Sequence, residues 1–323
     1  MTSHQIIEQI LPAAVLAPSA HNTQPWLFNI SDNTIDIYID HRRHLMVSDP
    51  THRQLYTSLG CLIANCLIAA AHHNHHTDID FFPDGEGENM LIARLRLNNS
   101  GTDSHLASLF PVINQRRTDR SEYNKEPLTA DEKNHLPSLQ SLAVIPVETH
   151  EQIDKLAAIT GAGSYATLAR KDFRRELSHW VRSNWTRQPD GMPGYAMLIP
   201  APLTPVLPWA VLILPIHKQE QTNTAKQIAS ASTIAVFATS ADSPQDWLRV
   251  GIDMETLWLE ATKAGLAAAP MAAAIEAGDK YRHQTQQILG TNLLPHAILR
   301  IGHSLRHNLK ATPRRTARDC LRK

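Results

Sequence analysis

Three short runs of the chain hold most of the chemistry its side chains offer. The first is Ala17-Pro18-Ser19-Ala20-His21-Asn22-Thr23-Gln24-Pro25-Trp26, which sets a hydroxyl, two amides and an imidazole within six residues. These are neutral donors and acceptors, suited to the edge of a polar ring; an ordinary polar connecting loop has the same composition. The second is Arg116-Arg117-Thr118-Asp119-Arg120. Three guanidinium groups and a hydroxyl suit a phosphate, bound through charge-assisted, often bidentate hydrogen bonds, although basic residues also gather at solvated helix ends. The third is Pro313-Arg314-Arg315-Thr316 in a basic tail, which otherwise reads as a frayed, solvated terminus. Nucleic-acid binding would interleave aromatic residues with such charges, and none follows His303. Taken together, the runs fit one ligand: a phosphate between two arginine clusters and a planar, polar ring facing amides.

Hydrophobic periodicity places these runs at element boundaries. Helical spacing is read over 3–16, 53–73, 104–115, 129–137, 150–160, 170–185 and 246–265, with Thr129-x-x-Glu132 and Thr149-x-x-Gln152 as helix starts. Strands are read at Trp26–Ile30 and Ile35–Ile39 (a hairpin), Leu91–Leu97, 209–214, 232–238 and 296–301. Residues 189–215 include seven prolines and are expected to be neither helix nor central strand, which marks a lid or linker. The helices around Gly60 and Gly251 align without gaps, pairing Leu67 with Trp258 and Ala70 with Ala261, and Ile92-Ala93-Arg94-Leu95 is similar to Ile298-Leu299-Arg300-Ile301. Both halves then read helix, strand, apolar helix, strand, the pattern of an internal duplication.

The chain's 323 residues suffice for two domains of ~100–200 residues or one large one. With 31 basic and 31 acidic side chains it has no global field of the kind nucleic-acid proteins use, although 18 histidines would add charge below neutrality. Cys61, Cys66 and Cys320 are odd in number and the first two share one apolar run, which fits a reducing cytoplasm. No charged leader with an apolar core opens the chain. The longest apolar run, Leu59 to Ala71, has 13 residues against the ~20 that cross a bilayer, so a soluble, cytoplasmic protein with no membrane partner is expected. His72 and His76 have metal-chelating spacing, but histidines at a helix end are commonly caps, and no metal site is assigned. Trp180 and Trp185 are read as core residues of one helix, and Asp40 to Arg43 as a solvated strand end.

Pro18-Ser19-x-x-Asn22-x-Gln24-Pro25-Trp26 resembles the PSxxNxQPW motif of the FMN-dependent nitroreductase family, and Arg116-Arg117-Thr118-Asp119-Arg120 resembles its RRSxR phosphate-binding start. Gly265 to Met271 resembles the stretch after the family's long central helix, and Ile301-Gly302 with Pro313-Arg314-Arg315 its closing strand and second phosphate contact. The resemblance spans residues 17–316. In typical members RRSxR precedes PSxxNxQPW within one subunit, and two subunits share each flavin site. Here the order is reversed, and Val144-Ile145-Pro146-Val147 stands where the second half's own motif strand belongs. The resemblance therefore implies an α+β nitroreductase-like fold whose two related halves, 1–112 and 113–323, are fused into a single-chain pseudo-dimer with one FMN site, plausibly monomeric.

With Asp190-Gly191-Met192-Pro193-Gly194 and the Pro-rich insertion, the chain is similar to the Acg-like branch, whose lid folds over the flavin. The resemblance implies that Arg116, Arg117, Thr118 and Arg120, with Arg314 and Arg315, hold the phosphate and ribityl end. Ser19, Asn22 and Gln24 would reach the ring, and Met271 and Ala272 would place backbone groups beside it. Ordinary members carry an acidic residue and a glycine where Ala272 and Ala273 stand here. It implies electron transfer from NAD(P)H through FMN to planar acceptors such as nitroaromatics or quinones, with no catalytic side chain, or FMN storage if the lid stays closed. Gly191 and Gly194 are the expected hinges.

Overall fold

The computed structural model describes residues 3–85, 91–99, 101–141 and 143–322. Helix α1 (Ser3–Ala14) turns its apolar stripe of Ile6, Ile7, Ile10 and Leu11 into the core. After the first polar run, β1 (Trp26–Ser31) and β2 (Thr34–Ile39) form the expected hairpin around Asp32-Asn33. Helix α2 (Arg53–His72) leads to β3 (His76–Phe81) and β4 (Ala93–Asn98), closing a sheet of order β1-β2-β4-β3. Helices α3 (Ser104–Ile113) and α4 (Ala130–Asn134, opened by a Thr129–Glu132 capping box) precede β5 (Val144–Val147).

Helices α5 (His150–Ala169) and α6 (Lys171–Trp180) then begin an insertion. It continues through the short parallel pair β6 (Val181–Arg182) and β7 (Met192–Pro193), α7 (Leu207–Ile213) and α8 (His217–Ala229). Strand β8 (Thr233–Thr239), α9 (Pro244–Lys263) and β9 (Ala267–Pro270) follow. Last come α10 (Ala273–Glu276), α11 (Asp279–Leu289) and β10 (Leu294–Gly302), which complete a second sheet of order β5-β8-β10-β9. Both sheets are antiparallel throughout, and both run first, second, fourth, third in their own chain order.

The long helices α2 and α9 cross with nothing but glycine between their backbones. A Cβ on Gly60 would lie 2.1 Å from the Leu248 carbonyl oxygen, and one on Gly251 would lie 2.1 Å from that of Thr57. Each glycine meets the residue three positions before the other, so the crossing is locally symmetric, and any side chain would push the helices apart. One apolar core joins α1, α2, α3 and α9 to parts of both sheets, and a smaller one lies beneath α5, α8 and α10. Helix α2 is long and apolar enough to cross a membrane, but 83% of its apolar window is buried inside the molecule, where it serves as a core helix.

The Pro-rich stretch departs from the expectation. Residues 209–214 belong to helix α7 rather than a strand, and two 3-10 turns, Gly194–Met197 and Ala201–Val206, precede it. The prolines permit this because Pro208 occupies the first helical turn, where an N–H has no partner to lose. Val181, Met192 and Val211 give the insertion a small core of its own. Trp185 is not a core residue: it lies beyond the end of α6 and is 66% exposed. His72 stacks on Phe110 with ring centroids 4.0 Å apart. All three cysteines are free and buried.

Candidate functional site

The fold brings the three polar runs together. Residues 116–120 leave α3 and run beside β9, where Thr118 pairs with Ala268. The run is held in place from beneath. The Asp119 carboxylate, 1% exposed, accepts hydrogen bonds from the Ser121 amide (2.8 Å), the Ser121 hydroxyl and Ser304. Arg300, fully buried in β10, donates to the Asp119 and Ser121 carbonyls and lies over the Tyr123 ring, 4.1 Å from its centroid. An arginine inside an otherwise apolar strand was the one sequence signal for this support.

So fixed, Arg116, Arg117, Thr118 and Arg120 line a cavity of about 70 Å³ together with Arg314, Lys310, Tyr195 and Leu16. Four guanidinium groups and an ammonium group face it. The carboxylate nearest them is Glu255 of α9, whose Oε1 lies 3.1 Å from Arg116 Nε. Arg116 also lies 4.4 Å from the Trp258 ring centroid and donates to the Leu16 carbonyl. The mutual repulsion of these cations is visible in their acidities. Burial first, and then Arg116, bring the Arg314 pKa down to about 9. Arg117 and Arg120 are lowered by burial and then by Arg116 and Arg300 respectively. The buried Nε atoms of Arg116 and Arg314 have no hydrogen-bond partner. A surplus of buried positive charge with unspent donors is the donor set for a phosphate group, so the residues fit a phosphate monoester. The volume fits only the phosphate, since a whole ligand of drug size occupies ~300–1,000 Å³.

The Ser/Asn run forms the neighbouring wall. His21, Asn22 and Gln24 all have left-handed φ values (49°, 55° and 54°), a conformation that costs L-residues ~1–2 kcal/mol each. What offsets that strain is the hydrogen-bond network of Ser19, Asn22 and Gln24. Ser19 Oγ accepts from the Gln24 amide at 2.9 Å. Asn22 Oδ1 accepts from Arg314 at 2.8 Å, while its Nδ2 donates to the Gly191 and Pro313 carbonyls. Gln24 Oε1 accepts from the Arg315 amide and its Nε2 donates to Pro189. The motif amides therefore clamp the insertion to the C-terminal tail. Between them, His21 keeps a buried, unpartnered Nδ1, and burial lowers its pKa to about 4, so the ring is neutral.

The insertion closes over this wall. Asp190 bridges Arg43 (2.8 Å) and Arg182 (2.7 Å), Arg120 donates to the Ala196 carbonyl, and the Tyr195 hydroxyl donates to Ala311. The expected hinges are packed. A Cβ on Gly191 would lie 2.5 Å from the Trp180 oxygen and one on Gly194 2.2 Å from Thr204 Cγ2.

Two further placements differ from the expectation. Arg315 does not line the arginine cavity; it turns to an open cleft on the other side, among Arg42, Arg43, Trp180 and Asp190. There Asp40, 2% exposed, pairs with Arg42, Arg43 and Arg315, so its carboxylate is buried, whereas His41 and Arg42 stay exposed as in a solvated strand end. Met271 and Ala272, expected beside the ring and not at the phosphate, stand just past β9, outside the lining of the arginine cavity. Met271 packs against the smaller core at the end of β9, and Ala272 is exposed.

These features define a nitroreductase-like α+β fold. The solved structure of a putative nitroreductase from Anabaena variabilis superposes with a TM-score of 0.52, covering 93% of this chain and 88% of that one at 12% identity. No family model matches the chain. In particular, it is 24% identical over 302 residues to the Mycobacterium tuberculosis H37Rv protein named "Putative NAD(P)H nitroreductase Rv3131", covering 92% of this chain and 85% of that relative. It is 22% identical over 321 residues to "Putative NAD(P)H nitroreductase acg" of the same organism, covering 98% and 95%. The resemblance to the nitroreductase family, and to its Acg-like branch, thus runs along nearly the whole chain.

Proposed function

We propose that the chain is an FMN-binding, nitroreductase-like oxidoreductase that takes electrons from NAD(P)H and passes them to planar acceptors such as nitroaromatics or quinones. The observation that carries this reading is the arginine cavity, with its excess of buried positive charge beside the Ser/Asn run. Arg116, Arg117, Thr118, Arg120 and Arg314 would hold the phosphate, and Arg315 would brace the motif through Gln24. Ser19, Asn22 and Gln24 would face the ring, with the backbone of Met271 and Ala272 on its far side. FMN supplies the hydride chemistry when bound. The chain's own residues bind, orient and exclude water, and none of them need act as a nucleophile or a dedicated acid.

The halves 1–112 and 113–323 would act as the two subunits of one shared site, with sheets of like order meeting at the α2–α9 crossing. The family's subunit interface is then internal, and the chain can work as a monomer. Purified protein is expected to be yellow and to release FMN on denaturation, and a colourless preparation that takes up no FMN would overturn the reading.

A second reading is favoured by the fastening of the insertion: a closed lid that stores or sequesters FMN without turnover. For a whole FMN to fit, Asn22 and Gln24 must exchange the Gly191 and Pro189 carbonyls for the ligand. Anaerobic mixing with excess NADPH separates the two. Rapid bleaching of the flavin band establishes the reductase, and an unbleached band establishes storage.

A further inference from the structure

Among the described residues Glu255 is the one acidic side chain that pairs with the cavity arginines, and nothing in the sequence marks it. It lies in the middle of α9 and is 0% exposed. Its Oε1 is 3.1 Å from Arg116 Nε, an ion pair whose geometry falls short of a well-formed hydrogen bond. Among the described residues both carboxylate oxygens therefore lack a well-formed hydrogen bond, and the Arg116 Nε–H lacks an acceptor. A buried carboxylate without a well-formed hydrogen bond depends on its counter-charges, here Arg116 first and Arg314 second. The nearer of them, Arg116, is also a wall of the cavity, and two acceptors compete for it.

We propose that Glu255 exchanges the Arg116 guanidinium for a proton when a phosphate dianion enters the arginine cavity, so that this site binds phosphate and proton together. The inference rests on the reading of that cavity as the FMN phosphate site. The proton comes from solvent and ends on a Glu255 carboxylate oxygen, while the dianion takes over the charge of Arg116. A carboxylate left ionised beside a buried dianion would face like charge in a dry interior, and protonation removes that repulsion.

The other groups acting on Glu255 leave it as the titrating member. Burial raises its pKa to about 7, against the pull of Arg116 and then of Arg314. Across the helix crossing, the Cys61 thiol of α2 is raised well above its ordinary value, chiefly by burial, and stays neutral. On the tail, Arg314 is lowered by burial but, as a guanidinium, stays charged throughout this range, and the Tyr195 hydroxyl beside it is raised by burial. Between pH 7.0 and 8.5 Glu255 is therefore the group in transit. The ligand's own second ionisation, near pH 6, is complete in that window.

The test is FMN affinity against pH, measured by quenching of flavin fluorescence on the full chain stripped of flavin. Wild type is expected to bind FMN about tenfold more weakly per pH unit above 7, the slope of one linked proton. Glu255→Gln is expected to bind with a flat profile over the same range, and riboflavin, which lacks the phosphate, to show no slope with wild type. Calorimetry of wild type in two buffers of different ionisation enthalpy needs no variant, and it is expected to report uptake of about one proton per FMN at pH 8. A flat wild-type profile with no proton uptake overturns the proposal, as does an equal slope in Glu255→Gln or with riboflavin. In each of those cases FMN still binds and the functional reading stands, whereas absence of FMN binding at every pH removes both.

Discussion

The two four-stranded sheets share a strand order but not a job. In residues 1–112 the first two strands are joined by a tight turn at Asp32-Asn33, and the central helix α2 is buried along most of its length. In residues 113–323 the equivalent strands β5 and β8 are separated by α5 to α8 and the Pro-rich segment, and the central helix α9 carries Glu255, Trp258 and Glu260 in buried positions. Aligning Gly60 with Gly251 sets Ala64 opposite Glu255 and Leu67 opposite Trp258. The charged face that meets Arg116 thus has no counterpart in α2. One region contributes a strained loop of amides and the other contributes guanidinium groups, a buried carboxylate and a cover. On the proposed reading, two halves of like strand order would hold a single site because each keeps a different part of it.

The comparison is most easily broken at the crossing. Gly251→Val places side-chain carbons on the Thr57 backbone and is expected to cost ~3 kcal/mol or more, with Gly60→Val costing a similar amount. Thermal melts of both variants check this, and unequal losses would show that the crossing is not symmetric in energy. Next in size is the arginine run. The double substitution Arg116→Ala, Arg117→Ala is expected to lower the FMN content of purified protein at least ~10-fold, the loss of charge-assisted contacts of ~1.5–3 kcal/mol each. Arg94→Ala, which removes the Asp36 partner in the other sheet, is expected to leave FMN content unchanged. Flavin absorbance after denaturation reads both.

Asn22→Ala sharpens the account of the cover. It leaves the Gly191 carbonyl without its side-chain donor and the Pro313 carbonyl with Arg314 alone, a loss of ~1–3 kcal/mol. Cleavage within 189–215 in limited proteolysis is expected to speed up about tenfold, with the rest of the chain unaffected.

The smallest effect belongs to Asp242, which lies 3.9 Å from Arg53, so that an ion pair links the starts of the two central helices. Burial alone would raise its pKa, but hydrogen bonds from Arg282 and the Trp247 indole outweigh that and bring it down to about 2. A depressed carboxylate stabilises the fold above its unfolded value near 3.8 and loses that contribution as the pH falls towards 2. Asp242→Asn is expected to lower the melting temperature by ~2–4 °C at neutral pH and by less at pH 2, as melts at the two pH values will show.

Particular residues show why the sequence was legible in some places and not in others. The β1–β2 hairpin and both central helices carry their signal locally, in alternation, in turn residues and in apolar periodicity, and they lie within a few residues of the expectation. Helix α7 was misread because its prolines look prohibitive one by one, whereas their positions in first turns decide whether they are tolerated. Asp40 looked like a solvated strand end because the partner that buries it, Arg315, lies far away along the chain. Glu255 carries no signal for the same reason, and Arg300 stands out only as a charge in an apolar strand, without its partners. A charge inside an apolar helix or strand is explained only by what packs against it, and Arg116, Asp119 and Ser121 meet them only in the folded chain. Of the site itself, the motif residues were legible, but their present partners, the carbonyls of Pro189, Gly191 and Pro313, were not.

The central claim is that complementary parts of one chain build one flavin site. Native mass spectrometry of the purified protein tests it most directly, because it reports subunit number and bound FMN together. The expected result is a single chain carrying one FMN, lost in the Arg116→Ala, Arg117→Ala variant. Two FMN per chain, or FMN found only on dimers, would contradict it.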